Sequence, residues 1–200
     1  MMSALPLPTM IETLETINIM TYDFASSSFG PCVSGHHSNL YSTSYAPQSV
    51  DAAVKAYMDR GVPREKIVVG AVLYSRGFAN TEGLGCPSSG LVSDKSWEGS
   101  SCLKLSHTHL EGVCDVKTLP RPGAIEYWDD RAKATYSYDP NKKILNSYDS
   151  ARSVAEKAKY VWDMGLRGII VWESAGDFAF DDPRSVLLSL VQNLQKDPRT

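Results

Sequence analysis

Three short runs, 17–24 (INIMTYDF), 66–73 (KIVVGAVL) and 168–172 (GIIVW), are apolar on both alternating sets of positions. That pattern suits strands covered on two faces, as in a parallel sheet. Between the runs the apolar spacing becomes helical. Val50, Val54, Tyr57 and Met58 line one face of a predicted helix over 50–60, which Gly61 and Pro63 end. Val154, Ala158, Val161 and Trp162 do the same over 150–164, with Gly165 as the stop. Asp182 and Pro183 are placed as N-cap and first residue of a last helix carrying Val186, Leu187, Leu190, Val191 and Leu194. A strand followed by a helix, three times over, is the signature of an α/β fold with parallel strands.

Residues 79–148 break this rhythm. They are rich in glycine, serine and aromatic residues, and 134–138, the turn Asp139-Pro140-Asn141 and 144–148 read as a β-hairpin. The stretch is predicted to be a lobe inserted after the carboxyl end of the second strand, beside the face where such folds bind ligands. Two units follow: 1–78 with 149–200, and 79–148.

Composition narrows the function classes. A chain of 200 residues, 42% hydrophobic and 22% charged, can bury a core as one domain with a smaller lobe. A net charge of -3 and a pI near 5.8, with lysine and arginine scattered, lack the footprint of a nucleic-acid binder. No apolar run approaches the ~20 residues of a membrane span, and the first ten residues show no basic and apolar signal pattern. Cys32, Cys86, Cys102 and Cys114 show no Cys-x-x-Cys spacing, so neither a zinc site nor a redox pair is expected, and disulfide against free thiol stays open. His36 and His37 share a loop with Asn39 and are read as loop hydrogen-bonding residues rather than metal ligands. No cofactor is expected.

The predicted strand ends supply the chemistry: Tyr22 and Asp23, Tyr74 and Arg76, Trp172 and Glu173. Taken singly, a satisfied core tyrosine, a loop-capping aspartate, a surface ion pair and a core tryptophan would read the same. Taken jointly they are what a sugar needs. An indole face stacks on the C–H face of a pyranose, while carboxylate, guanidinium and phenol bond its hydroxyl and amide groups.

Met20-Thr-Tyr22-Asp23-Phe24, Gly35-His36 with Asn39-Leu40-Tyr41, Gly70 with Leu73-Tyr74-Ser-Arg76-Gly-Phe78, Ser96-Trp97-Glu98, Tyr136-Ser-Tyr138-Asp139, Ser147-Tyr148-Asp149, and Gly168 with Trp172-Glu173-Ser-Ala-Gly176-Asp177 occur in order along the chain. Together they resemble the carboxyl-terminal half of a fungal-type glycoside hydrolase family 18 chitinase. The resemblance implies an incomplete (β/α)8 TIM barrel, strands six to eight, with an α+β insertion domain between strands seven and eight at 79–148. It also implies action on chitin or chitooligosaccharides by substrate-assisted, retaining hydrolysis, in which the 2-acetamido carbonyl attacks the anomeric carbon. Tyr22 and Asp23 take supporting catalytic roles, and Met20, Tyr22, Asp23, Tyr74, Arg76 and Trp172 bind the sugar. A chitinase-like lectin that binds without cleaving is the alternative. The resemblance further implies an extracellular, monomeric parent when full length.

Departures from the family pattern matter. The Asp-x-x-Asp-x-Asp-x-Glu motif that carries the family's general acid occurs nowhere in the 200 residues, so the chain is read as a fragment, inactive by itself. Ser26 and Ser28, beside Phe29, stand where relatives have glycine and tryptophan. Residues 99–111, with Cys102, His107 and His109, intervene before Cys114 and Val116, which replace aromatics, and are expected to be an exposed, dispensable stretch.

Overall fold

A computed structural model of the chain describes residues 6–25, 33–88 and 113–195. Sequence expectations at Ser26, Ser28, Phe29, Ser96-Trp97-Glu98 and 99–111 lie outside these residues.

The three apolar runs pair in parallel as β1 (Ile17–Ile19), β2 (Ile67–Val72) and β8 (Gly168–Trp172), with β2 in the centre. The pairing sets Ile17 opposite Ile67, Ile19 opposite Val69, and Val72 opposite Trp172. Ile17, Ile19, Ile67 and Val69 turn to one face and pack on α1 (Leu7–Thr13), α2 (Val50–Met58) and α3 (Ala151–Met164) through Leu7, Val50, Val54, Tyr160 and Val161. The other face is only partly covered, with Tyr22 lying over Gly70 and Val72 of β2. Met20 is 74% exposed and Trp172 47%. On that face the apolar side chains of β8, Ile170 and Trp172, are exposed. β1 is also shorter than 17–24, because beyond Ile19 the side chain of Thr21, rather than the backbone, bonds to β2.

Local signals fix the helices. Ser49 caps α2 by accepting from Ala52 N, and Ser150 and Ser153 cap α3 reciprocally. Gly165, at φ 65°, ends α3 in the left-handed conformation that glycine adopts freely. α4 (Val186–Gln195) begins one turn later than Asp182-Pro183 suggested. The reason is local: Asp182 instead accepts from Arg184 N in a tight turn, while Ser185 Oγ accepts from Leu188 N at the helix start.

The second sheet is antiparallel, in the order β4 (Val113–Asp115), β3 (Tyr74–Phe78), β7 (Ile144–Tyr148), β6 (Ala134–Asp139), β5 (Ile125–Asp129). The expected hairpin is β6 and β7. Tyr74–Phe78, read from sequence as the polar end of the second parallel strand, is itself a strand of this sheet and pairs with β7 and β4. Leu73 alone separates β2 from β3. Its N–H donates to Trp172 O at 2.8 Å and its carbonyl accepts from Val116 N at 3.1 Å, so one residue joins both sheets. Cys114 is buried and disulfide-bonded, and Cys86 is a free thiol.

Candidate functional site

The site forms at the carboxyl ends of the parallel strands, where the two sheets meet. Thr21 Oγ1 donates to Gly70 O and accepts from Gly70 N, at 3.1 and 2.7 Å. This lays the Tyr22 ring directly over Gly70. A methyl group at Gly70 would come within 2.6 Å of Tyr22 Cε1, so the close approach requires glycine. Tyr22 then meets Val72 and the edge of Tyr74, ring centroids 6.3 Å apart.

Asp23 follows with φ 62°, a left-handed conformation that aspartate tolerates better than most residues. The kink turns its carboxylate toward β3. Arg76 grips it with Nε to Oδ1 at 2.8 Å and Nη2 to Oδ2 at 2.7 Å, and Tyr74 OH donates to Oδ1 at 2.8 Å. Tyr74 and Arg76 reach one carboxylate because positions two apart on a strand share a face. Burial pushes the Asp23 carboxyl up, but its contacts with His37 and Arg76 outweigh this and hold it well below the usual carboxylate range. His37 is itself pushed down by complete burial, so at neutral pH the imidazole is uncharged and Arg76 supplies the opposing charge. Burial, then the Asp23 charge, raise Tyr74 far above an ordinary phenol, and the same causes raise Tyr22. Both phenols therefore stay protonated and can donate.

On the other side, Val72 stands opposite Trp172 in the register, which puts the exposed indole beside the strand that Tyr22 covers. Trp172 is joined to Glu173 by a cis peptide bond. Met20, just beyond β1, is exposed. Sequence reasoning named Met20, Tyr22, Asp23, Tyr74, Arg76 and Trp172. The structure brings Tyr22, Asp23, Tyr74 and Arg76 into contact and leaves Met20 and Trp172 exposed. It adds a cleft of about 150 Å³ lined by Tyr74, Asp115, Lys117, Glu173 and Gly176.

Sequence reasoning missed what stands behind the carboxylate. His37 Nδ1 lies 3.5 Å from Asp23 Oδ1, and Asp149 and Lys157 form a wholly buried ion pair at 2.6 Å. Lys157 had one visible signal, a charged residue amid the apolar face of α3. His36, by contrast, bonds Asp129 at 3.1 Å, as expected of a loop histidine. Tyr45 OH donates to the same carboxylate, and its pKa is pushed up to about 12 by burial and then by Asp129. Among the described residues no group of three metal-ligating side chains converges.

Residues 1–177 match the family described as Glycosyl hydrolases family 18. The chain is 38% identical over 168 residues to Chitinase 1 of Aphanocladium album, covering 82% of this chain and 36% of that one. It is 39% identical over 170 residues to Endochitinase 1 of Metarhizium robertsii, covering 83% and 37%. It thus spans about a third of the length of these relatives. In structure it resembles chitinase ChiW from Paenibacillus sp. str. FPU-7, with a TM-score of 0.81 at 27% identity, covering all of this chain and 22% of that one.

Proposed function

The chain belongs to glycosyl hydrolases family 18, and from that premise we propose that it supplies the sugar-binding half of a chitinase acting on β-1,4-linked N-acetylglucosamine. In this reading β1, β2 and β8 are the sixth to eighth strands of a (β/α)8 barrel, and 79–148 is an insertion domain forming one wall of the groove. The observation that carries it is the Asp23 carboxylate clamped by Arg76 and Tyr74 beside an exposed tryptophan, at the carboxyl ends of parallel strands.

The chain's own residues then divide the work. Trp172 is the floor on which a pyranose stacks. Tyr22 OH donates to the acetamido group as charge develops there, an interaction that strengthens in the transition state. Asp23, kept ionised, bonds the distorted sugar, while Tyr74, Arg76 and Met20 line the groove. The motif that carries the family's protonating glutamate does not occur in these 200 residues. Such an enzyme acts outside the cell.

We therefore expect the 200-residue chain to bind chitooligosaccharides without hydrolysing them, since a missing general acid alone forfeits about 10²–10⁴-fold in rate. Titration with N-acetylglucosamine oligomers, followed by tryptophan fluorescence and compared with Trp172→Phe to isolate its share of the four tryptophans, tests binding. Turnover of a chromogenic chitobioside that survives repurification would overturn the expected inactivity. The missing motif equally favours a non-catalytic chitinase-like lectin. The transcript's 5′ end separates the two: glutamate at the end of the fourth strand supports the enzyme, whereas glutamine, leucine or isoleucine supports the lectin.

A further inference from the structure

Directly behind Asp23 lies a set of buried polar side chains to which sugar binding assigns no task. His37 is fully buried, with Nδ1 3.5 Å from Asp23 Oδ1 and its ring tilted against Tyr74, centroids 5.3 Å apart. Its backbone is held from two directions. The N–H donates to Ser147 Oγ at 3.2 Å, and the carbonyl accepts from Phe24 N at 3.1 Å, next to Asp23 itself. The following residue, Ser38, is tied to the buried ion pair: Lys157 Nζ donates to Ser38 Oγ and to Asp149 Oδ2, each at 2.6 Å. Asp149 Oδ2 also accepts from Ser38 Oγ and from Val72 N, both at 3.0 Å. Desolvation largely offsets the attraction within a pair removed from water, so its clearest contribution is to fix position.

We propose that His37 is a positioning residue that aims the Asp23 carboxylate, and that Lys157, Asp149 and Ser38 fix where His37 stands. A neutral imidazole carries one ring proton, and neither ring nitrogen has a well-aligned partner. A buried donor without an acceptor is destabilising, so the proton goes to Nδ1, which faces the carboxylate. Oδ1 then faces a third donor besides Tyr74 and Arg76 Nε. Asp23 cannot rotate about its side-chain bonds without losing donors on both oxygens. The chain of contacts starts on α3, passes through Ser38 and His37, and ends on the sugar-facing carboxylate.

The tautomer and the Arg76–Asp23 geometry are both visible by nitrogen NMR of the 200-residue chain. Expected in the unsubstituted protein are a proton on His37 Nδ1, none on Nε2, and a slowly exchanging Arg76 Nε–H. In His37→Leu, which fills the space without donating, the Arg76 signal should lose its protection, and in His37→Asn, whose amide can donate from near the Nδ1 position, it should return. A proton on Nε2, or an Arg76 signal unmoved by leucine, would overturn the proposal. The tautomer decides the matter if the leucine variant does not fold. The consequence for ligand rests on the sugar-site reading: N-acetylglucosamine trisaccharide affinity should fall about tenfold with leucine and recover with asparagine, the scale of a hydrogen bond to a charged group. If the unsubstituted chain fails to bind the trisaccharide, the sugar-site reading falls, while the two NMR results still decide the role of His37.

Discussion

Single atoms decide much at this site. The approach of the Tyr22 ring to Gly70 leaves no room for a methyl group, so Gly70→Ala should lose about 1–3 kcal/mol in denaturant unfolding and displace Tyr22. Tyr22→Phe should leave stability nearly unchanged. In a chain that also carries the general acid, it should lower kcat by about 10²–10³ with little rise in KM, because its hydrogen bond strengthens in the transition state. Trp172→Ala should damage both constants, since stacking holds ground and transition states alike. Asp23 makes a prediction about acid. Its folded carboxyl titrates below the unfolded one, so between the two values the unfolded chain binds more protons and stability rises with pH. The stabilisation is fully present above about pH 4, the ordinary aspartate range, and is lost as pH falls toward the folded value. Asp23→Asn should flatten that part of the stability curve; an unchanged acid slope would count against the clamp.

Helices and strands show how far local pattern reaches. α3 carries a buried lysine two turns from its start, and Lys157→Met would leave the Asp149 carboxylate buried without its counter-ion, at a cost of about 3–5 kcal/mol. Lys159→Met, on the exposed flank of the same helix, is the control and should unfold like the parent. The three parallel strands, α2, α3 and the β6–β7 hairpin were legible in the sequence because periodicity, caps and turn residues are local signals. β3, β4 and β5 were not. Tyr-Ser-Arg-Gly-Phe has no apolar alternation, and its strand exists only because β7 and β4 lie alongside it. The start of α4 was misplaced because Asp182-Pro183 carries the same signal as the true cap at Ser185. At the site, strand-end reasoning located Tyr22, Asp23, Tyr74 and Arg76. It read His37 only as a loop hydrogen-bonding residue and gave Asp149 and Lys157 no role at the site, because their roles come from contacts between residues distant in sequence.

For the molecule as a whole, the partly covered face of the parallel sheet is a liability. Ile170 and Trp172 are exposed there, and β1 and β8 are edge strands among the described residues. Unpaired parallel edges beside apolar surface favour association. The purified chain should therefore gain apparent mass with concentration in sedimentation velocity, and Ile170→Lys should suppress this while leaving the Asp23 cluster intact. A strictly monomeric chain at high concentration would argue against that reading. Leu73 has a different consequence. With one residue between β2 and β3, and with its N–H and carbonyl bonded to opposite sides, the joint has no slack. Sequence can vary in the outer strands β5 and β6, away from the β4 and β7 that flank β3, without altering the angle at which Tyr74 and Arg76 meet Asp23. Divergence in the outer part of the antiparallel sheet can then proceed while the grip of Tyr74 and Arg76 on Asp23 is inherited unchanged.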